Sequence, residues 1–179
     1  MNAADLMPND KLSRAILLER AKKLAEKIVT IENHDTVNFI CFKLANNELY
    51  GVAYQNVEEV MDKNTLTKIP FAHPCVAGVT NYRGVLLTLI DLRKFFQLDI
   101  SENPQKTYVI VTKIKGISIG ILADDIEGID EYDNEKMKNN IPYQGSLHSK
   151  YIVGIHNRTI TILNIEAIIT DLHGLLGKN

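Results

Sequence analysis

After Asp35 the chain becomes a succession of short runs of Val, Ile, Phe and Tyr bounded by Asn, Gly or Asp, and this texture limits the fold more than any other feature. β-Branched and aromatic side chains suit a pleated, half-buried surface, while the bounding residues suit turns. The pattern predicts strands over residues 37–44, 48–53, 57–60, 65–69, 78–82, 85–90, 107–112, 117–123, 126–130, 151–156 and 159–163. Asn46 and Asn47 tolerate positive φ and join the first two as a hairpin. So many short strands imply a mainly β fold, either a sandwich or small barrels. Residues 133–150, rich in charge and Asn, read as a long connection, and residues 99–106, with Pro104, read as the link between two lobes.

Helical spacing flanks the β region on both sides. Over residues 9–33, Leu17, Ala21, Leu24, Ile28 and Ile31 recur at four- and three-residue steps, which predicts one amphipathic helix. Its stripe can pack on the body of the protein, or it can serve self-association or a partner. At the other end Ile165, Ile168, Ile169 and Leu172 share a face ahead of Gly177, so a closing helix is expected over residues 164–176.

Composition then removes whole classes of function. With 45% apolar residues in 179, the chain can bury a core without covalent staples. Twenty basic against 22 acidic residues leave a net charge of −2, which offers no footprint for a phosphate backbone, so no nucleic acid is expected as a partner. Cys41 and Cys75 each sit in an apolar stretch, as free thiols do in a reduced cytoplasm. Residues 1–8 lack the basic-then-apolar order of a leader, and no run is long enough to span a bilayer, so a soluble chain with no direct membrane insertion is expected.

Catalytic chemistry finds little to stand on. His34, His73, His148, His156 and His173 are scattered singly without metal-ligand spacing. Gly116, Gly120 and Gly128 lie in strand-like sequence with no following Lys-Ser/Thr, and Ser118, Ser146 and Ser149 have no activating neighbours. Asp124, Asp125, Glu127, Asp130 and Glu131 form the densest acidic cluster, which reads either as a solvated edge or as a charged patch for a partner. No metal, cofactor or enzymatic activity is expected.

The most informative stretch is Pro70 to Phe96, PFAHPCVAGVTNYRGVLLTLIDLRKFF. Asn81-Tyr82-Arg83-Gly84 between two apolar runs is a tight turn, with Gly84 free to take positive φ and Asn81 able to bond back to the backbone. Arg83 at its tip either stands exposed or pairs its planar fork with a carboxylate, for which Glu59 is the candidate. The stretch closely resembles the signature of CheW-like domains, roughly P-x-x-P-x-x-V-x-G-V-x-N-x-R-G, an apolar strand and I-D-L-R. Tyr50-Gly51-Val52, Val57-Glu58-Glu59-Val60, Gly120 to Asp124, Val153-Gly154 and Ile160 to Ile165 extend the resemblance over about residues 36 to 173.

The resemblance implies a 1–34 helical extension followed by a 35–176 domain of two five-stranded SH3-like barrels packed side by side. It implies a non-catalytic adaptor of bacterial chemotaxis, joining the cytoplasmic tip of a transmembrane chemoreceptor to the regulatory domain of a CheA-type histidine kinase in membrane-associated arrays. The receptor groove between the barrels would include Val57, Glu59, Gly78, Arg83, Gly120, Ile126 and Gly154. Three departures stand out: Thr88 replaces a proline of the family, Ala123 replaces a β-branched residue before Asp124, and the long N-terminal extension is similar to adaptors of the type IV pilus (twitching) branch. A scaffold in that pathway, or another chemosensory one, is the alternative.

Overall fold

The computed structural model describes residues 36–62, 66–98, 107–138 and 148–176, so the expected 9–33 helix and the 1–34 extension lie outside the described residues. Within them the chain is mainly β. Strands β1 (Thr36–Leu44) and β2 (Glu48–Ala53) form the expected hairpin, turned by Ala45, Asn46 and Asn47, all at positive φ. A short 3-10 turn, Tyr54–Asn56, leads to β3 (Val57–Asp62), β4 (Val76–Tyr82) and β5 (Val85–Ile90), then helix α1 (Leu92–Phe95), β6 (Tyr108–Ile114) and β7 (Ile117–Ala123). The chain continues through β8 (Asp125–Asp133), α2 (Asn134–Lys138), β9 (Ile152–His156), β10 (Ile160–Leu163) and α3 (Ile165–Leu176).

Two five-stranded sheets result, in the orders β8-β1-β2-β10-β9 and β3-β6-β7-β5-β4. They are wired identically. In each, three antiparallel pairings and one parallel pairing (β10 with β2, β5 with β7) occur at corresponding places, and a helix follows β10 and β5. The register shifts at β1/β8, β9/β10, β3/β6 and β4/β5 also correspond. Such bulges add bend and twist, which is how a short sheet curls into a small barrel.

The order of strands corrects the expected lobe link. The chain passes from one sheet to the other at Tyr54–Asn56 and again at Asp124, whereas the elements on either side of residues 99–106, α1 and β6, serve the same sheet. A Pro-containing polar segment reads alike whether it joins strands of one barrel or of two. Two further expectations change. Residues 66–69 are no strand: Thr67 makes a single bridge to Val79, with reciprocal N–H···O bonds of 2.9 Å, before Pro70 and Phe71 turn the chain. Within the supposed 133–150 connection, Asn134–Lys138 is helical, started by an Asp133 carboxylate that accepts the Glu135 amide at 3.0 Å.

Side-chain alternation explains where the core lies. On β1, Phe39 and Cys41 enter one barrel with Tyr132, Met137, Ile160 and Ile162, while Phe42 and Leu44 face the other sheet. Both faces are buried, so the sequence reads as a continuous apolar run. The second barrel encloses Leu87, Leu89, Val109, Val111 and Leu122. Between the barrels lies the largest cluster among the described residues, nineteen buried ones against six and five inside the barrels, with Tyr50, Val52, Ile90, Ile110 and Ile121 among them. Helix α3 seals it with Ile165, Ile168, Ile169 and Leu172, its first turn capped by Asn164 Oδ1, which accepts the Ala167 amide at 3.1 Å.

Ile168 is fully buried in this shared cluster. Ile168→Ala is therefore expected to lower stability by about 2–5 kcal/mol, with one transition for the whole two-barrel unit in a urea titration followed by both circular dichroism and tyrosine fluorescence. Burial pushes the Cys41 and Cys75 thiols above their ordinary pKa. Both are expected to resist a disulfide reagent at pH 8 in the native protein and to react at once in denaturant.

Candidate functional site

The tip between β4 and β5 is a two-residue turn. Arg83 and Gly84, at φ 51° and 84°, sit between the paired residues Tyr82 and Val85, the mirror-image turn that matches strand twist. Asn81 Oδ1 accepts the Gly84 amide at 2.9 Å. A non-glycine residue in left-handed geometry costs about 1–2 kcal/mol, so the tip holds Arg83 in place against a local preference. Its guanidinium lies 5.0 Å from the centre of the Tyr82 ring and donates from Nη2 to Glu59 Oε2 at 2.7 Å.

The Arg83–Glu59 pair is the one expected from the sequence, and it has a topological meaning. Glu59 belongs to β3 and Arg83 to the β4–β5 tip, at opposite ends of the sheet order, so they meet only because the sheet curls round on itself. In the other barrel the two edge strands β8 and β9 bring Asp130 Oδ2 and His156 Nε2 to 3.5 Å. The Arg83 side chain remains 71% exposed, so water screens the pair, which mainly orients a charge at the surface.

A second polar cluster is buried, and the sequence reading missed it. Asp91 caps α1 by accepting the Arg93 amide at 3.1 Å, and its two oxygens also take Nε and Nη2 of Arg93 at 2.7 and 3.0 Å. Arg93 Nη1 donates to Asp124 Oδ1 at 2.6 Å. Asp124 Oδ2 accepts the Ala45 amide at 2.9 Å, and the Asp124 amide donates to Lys43 O at 2.9 Å. Burial opposes the Arg93 charge, but the hydrogen bonds it donates to Asp91 and the fields of Asp91 and Asp124 outweigh it and raise the pKa. Burial raises the Asp124 carboxyl above the usual carboxylate value, only partly countered by Arg93 and the Ala45 amide. Asp124 thus leaves the solvated acidic cluster to which its sequence neighbours assigned it. The signal was present in I-D-L-R: charges placed among apolar runs must find partners.

The structure distributes the seven expected groove residues over both sheets. Val57 on β3 and Ile126 on β8 are half-buried and pack on the cluster between the barrels from the two sides. Glu59 and Arg83 pair beside Val57's strand. Gly78, Gly120 and Gly154 are buried, and each is a place where another group sits. A Cβ on Gly78 would lie 2.3 Å from Thr67 O, one on Gly120 would lie 2.4 Å from Leu89 Cδ2, and one on Gly154 would lie 3.0 Å from Met137 O under α2. Thr88 stands on β5, between β7 and β4 in the sheet order rather than at an edge.

Exposed apolar side chains gather elsewhere. Phe71 is fully exposed at φ 59°, with Ile69 beside it, and Val85 and Leu86 are exposed next to the Arg83 tip. Among the described residues no group of three His, Cys, Asp or Glu side chains is placed to hold a metal ion, and no helix is long and apolar enough to cross a membrane.

Two small barrels that share one core, with an oriented charge pair and apolar side chains at the surface, define a protein-binding module. Residues 38–173 match the CheW-like domain, and the chain belongs to that family. It is 29% identical to the chemotaxis protein CheW of Klebsiella aerogenes over 145 residues, 79% of this chain and 86% of the relative. The Helicobacter pylori CheW is 28% identical over 86% of this chain and 93% of its own length. Protein FrzA of Myxococcus xanthus is 31% identical over 51% of this chain and 56% of its own. The crystal structure of the scaffolding protein TtCheW from Thermoanaerobacter tengcongensis superposes with a TM-score of 0.64 at 25% identity, covering 72% of this chain and 84% of that one.

Gly120→Ala forces a methyl group against Leu89 and Val109 inside the second barrel. The expected cost is about 1–3 kcal/mol, read as a lower urea midpoint with an unchanged slope.

Proposed function

We infer that this chain is a non-catalytic chemotaxis adaptor that holds the cytoplasmic tip of a chemoreceptor and the regulatory domain of a CheA-type histidine kinase in one assembly. The observation that carries this reading is the match of the whole two-barrel unit to the CheW-like domain. Relatives named CheW and a structure described as a scaffolding protein support it. The chain works in the cytoplasm and reaches the membrane only through the receptor.

The receptor tip, a helical hairpin, docks at the junction of the barrels. Val57 and Ile126 supply apolar contact from the two sheets, and the Glu59–Arg83 pair at the rim sets the register of the helix. Gly78, Gly120 and Gly154 act through the close packing that shapes the barrels behind this surface. The kinase contact falls on an exposed barrel end, where Phe71 is the best-suited anchor: it is a fully exposed aromatic residue in left-handed geometry, packed on nothing among the described residues. Adaptor action needs no bond chemistry, since linking two partners lets receptor movement bias the kinase between states. The similarity to FrzA, covering half the chain, favours a second reading in which the same adaptor serves another chemosensory pathway, such as one driving twitching.

Calorimetric titration against a receptor-tip fragment and, separately, a kinase regulatory domain tests this directly. Binding to both is expected, and binding to neither would overturn the adaptor reading. Arg83→Ala and Glu59→Arg are each expected to weaken tip binding about tenfold, or 1.4 kcal/mol, while the urea midpoint barely moves. Tip affinity unchanged in both variants would remove the pair from the docking surface. Phe71→Asn, which relieves the backbone and removes the aromatic ring, is expected to weaken kinase binding alone and to raise stability by a few tenths to about 1 kcal/mol.

A further inference from the structure

Two kinds of contact join the barrels, and they do different work. The shared apolar cluster is large but non-directional, and packing of this sort tolerates a small rotation of one sheet on the other. The polar contact at Asp124 does not. Asp124 sits where the chain passes from the second sheet back to the first, and it is tied to the first sheet twice, through the Ala45 amide and Lys43 O. Its remaining oxygen is held by Arg93, whose position is fixed in turn by three hydrogen bonds to Asp91 at the end of β5. The Arg93 side chain is 10% exposed and that of Asp91 7%. Asp124 is less enclosed, its side chain 18% exposed, and a rotation of the barrels would pull the buried guanidinium away from this partly buried carboxylate.

We propose that Asp91, Arg93 and Asp124 are positioning residues that fix the rotation of one barrel against the other, and thereby the spacing of Val57 and Ile126 across the receptor-docking junction. The second half of this statement rests on the docking reading above; the first half does not. Buried ion clusters are poor sources of net stability, because desolvation offsets much of their attraction. What such a cluster supplies is direction, since hydrogen bonds to a planar guanidinium are satisfied in only one geometry. The cluster touches neither Val57 nor Ile126 by any hydrogen bond, so its effect on the junction is transmitted by the barrels as bodies.

The test uses the full chain with two variants. Asp91→Asn/Arg93→Met/Asp124→Asn removes all three charges together while keeping an acceptor at the α1 cap and at the Ala45 amide. Arg93→Lys keeps the charge and removes the fork. Both are expected to unfold cooperatively and to retain wild-type amide shifts inside each barrel. Backbone residual dipolar couplings of the free protein, which fit one alignment frame for both barrels in the wild type, are expected to require a changed relative orientation or two frames in the variants. Receptor-tip affinity is expected to fall at least about five-fold. Couplings that still fit the wild-type orientation in a folded variant would overturn the positioning role, whatever the tip does. A changed orientation with unchanged tip affinity would overturn its link to the junction. Failure of the wild type to bind the tip would count against the docking reading alone, because the dipolar couplings judge the cluster without any partner.

Discussion

The apolar cluster between the sheets is the contact on which everything else in this protein depends. Among the described residues each barrel encloses only five or six buried apolar side chains, too few to offset the ordering of five strands, whereas the layer between them holds nineteen. The two barrels are therefore one folding unit with two lobes, held together by a layer whose apolar contacts are non-directional. The layer forms a close-packed floor beneath the junction. Rigidity matters for a binding module, because a surface already in its bound geometry loses little entropy when a partner arrives.

On this floor the polar groups fall into two sets separated by burial. Arg83 and Glu59 meet at the surface and are screened by water, so their pairing orients more than it stabilises. Arg93 and its two carboxylates lie between the sheets, where a misplaced charge is expensive. Both arginines come from the same stretch of sequence, ten residues apart, at the two ends of β5. One strand thus carries the charge that faces outward and delivers the charge that ties the lobes together.

Much of this was legible beforehand. Asn46-Asn47 and Gly84 marked their turns because few residues accept positive φ, and the four buried Ile and Leu positions of α3 stood out at helical spacing. The Glu59–Arg83 pair followed from a guanidinium fixed at a turn tip. What was not legible came from long-range pairing. Nothing local tells that Thr67 finds one bridge and no strand, that α1 and β6 return to a single sheet, or that Met137 lies over Gly154 and so holds Asn134–Lys138 as a helix. Asp124 was misread for the same reason. Its sequence neighbours Asp125 and Glu127 are exposed, and only the crossing between sheets turns it inward.

The identical wiring of the sheets hides an asymmetry in time. The five strands of the second barrel follow one another along the chain, from β3 to β7, but the first barrel is made of β1 and β2 at one end and β8 to β10 at the other, so that Leu49 pairs with Ile160. A chain emerging from the ribosome presents the β1–β2 hairpin first and the strands that complete its barrel last. The second barrel can close while the rest is still being made, and the early hairpin, with Phe39 and Cys41 uncovered, must wait for β8 and β10. The half of the molecule that begins the chain is therefore the half that a nascent-chain chaperone would have most reason to shield.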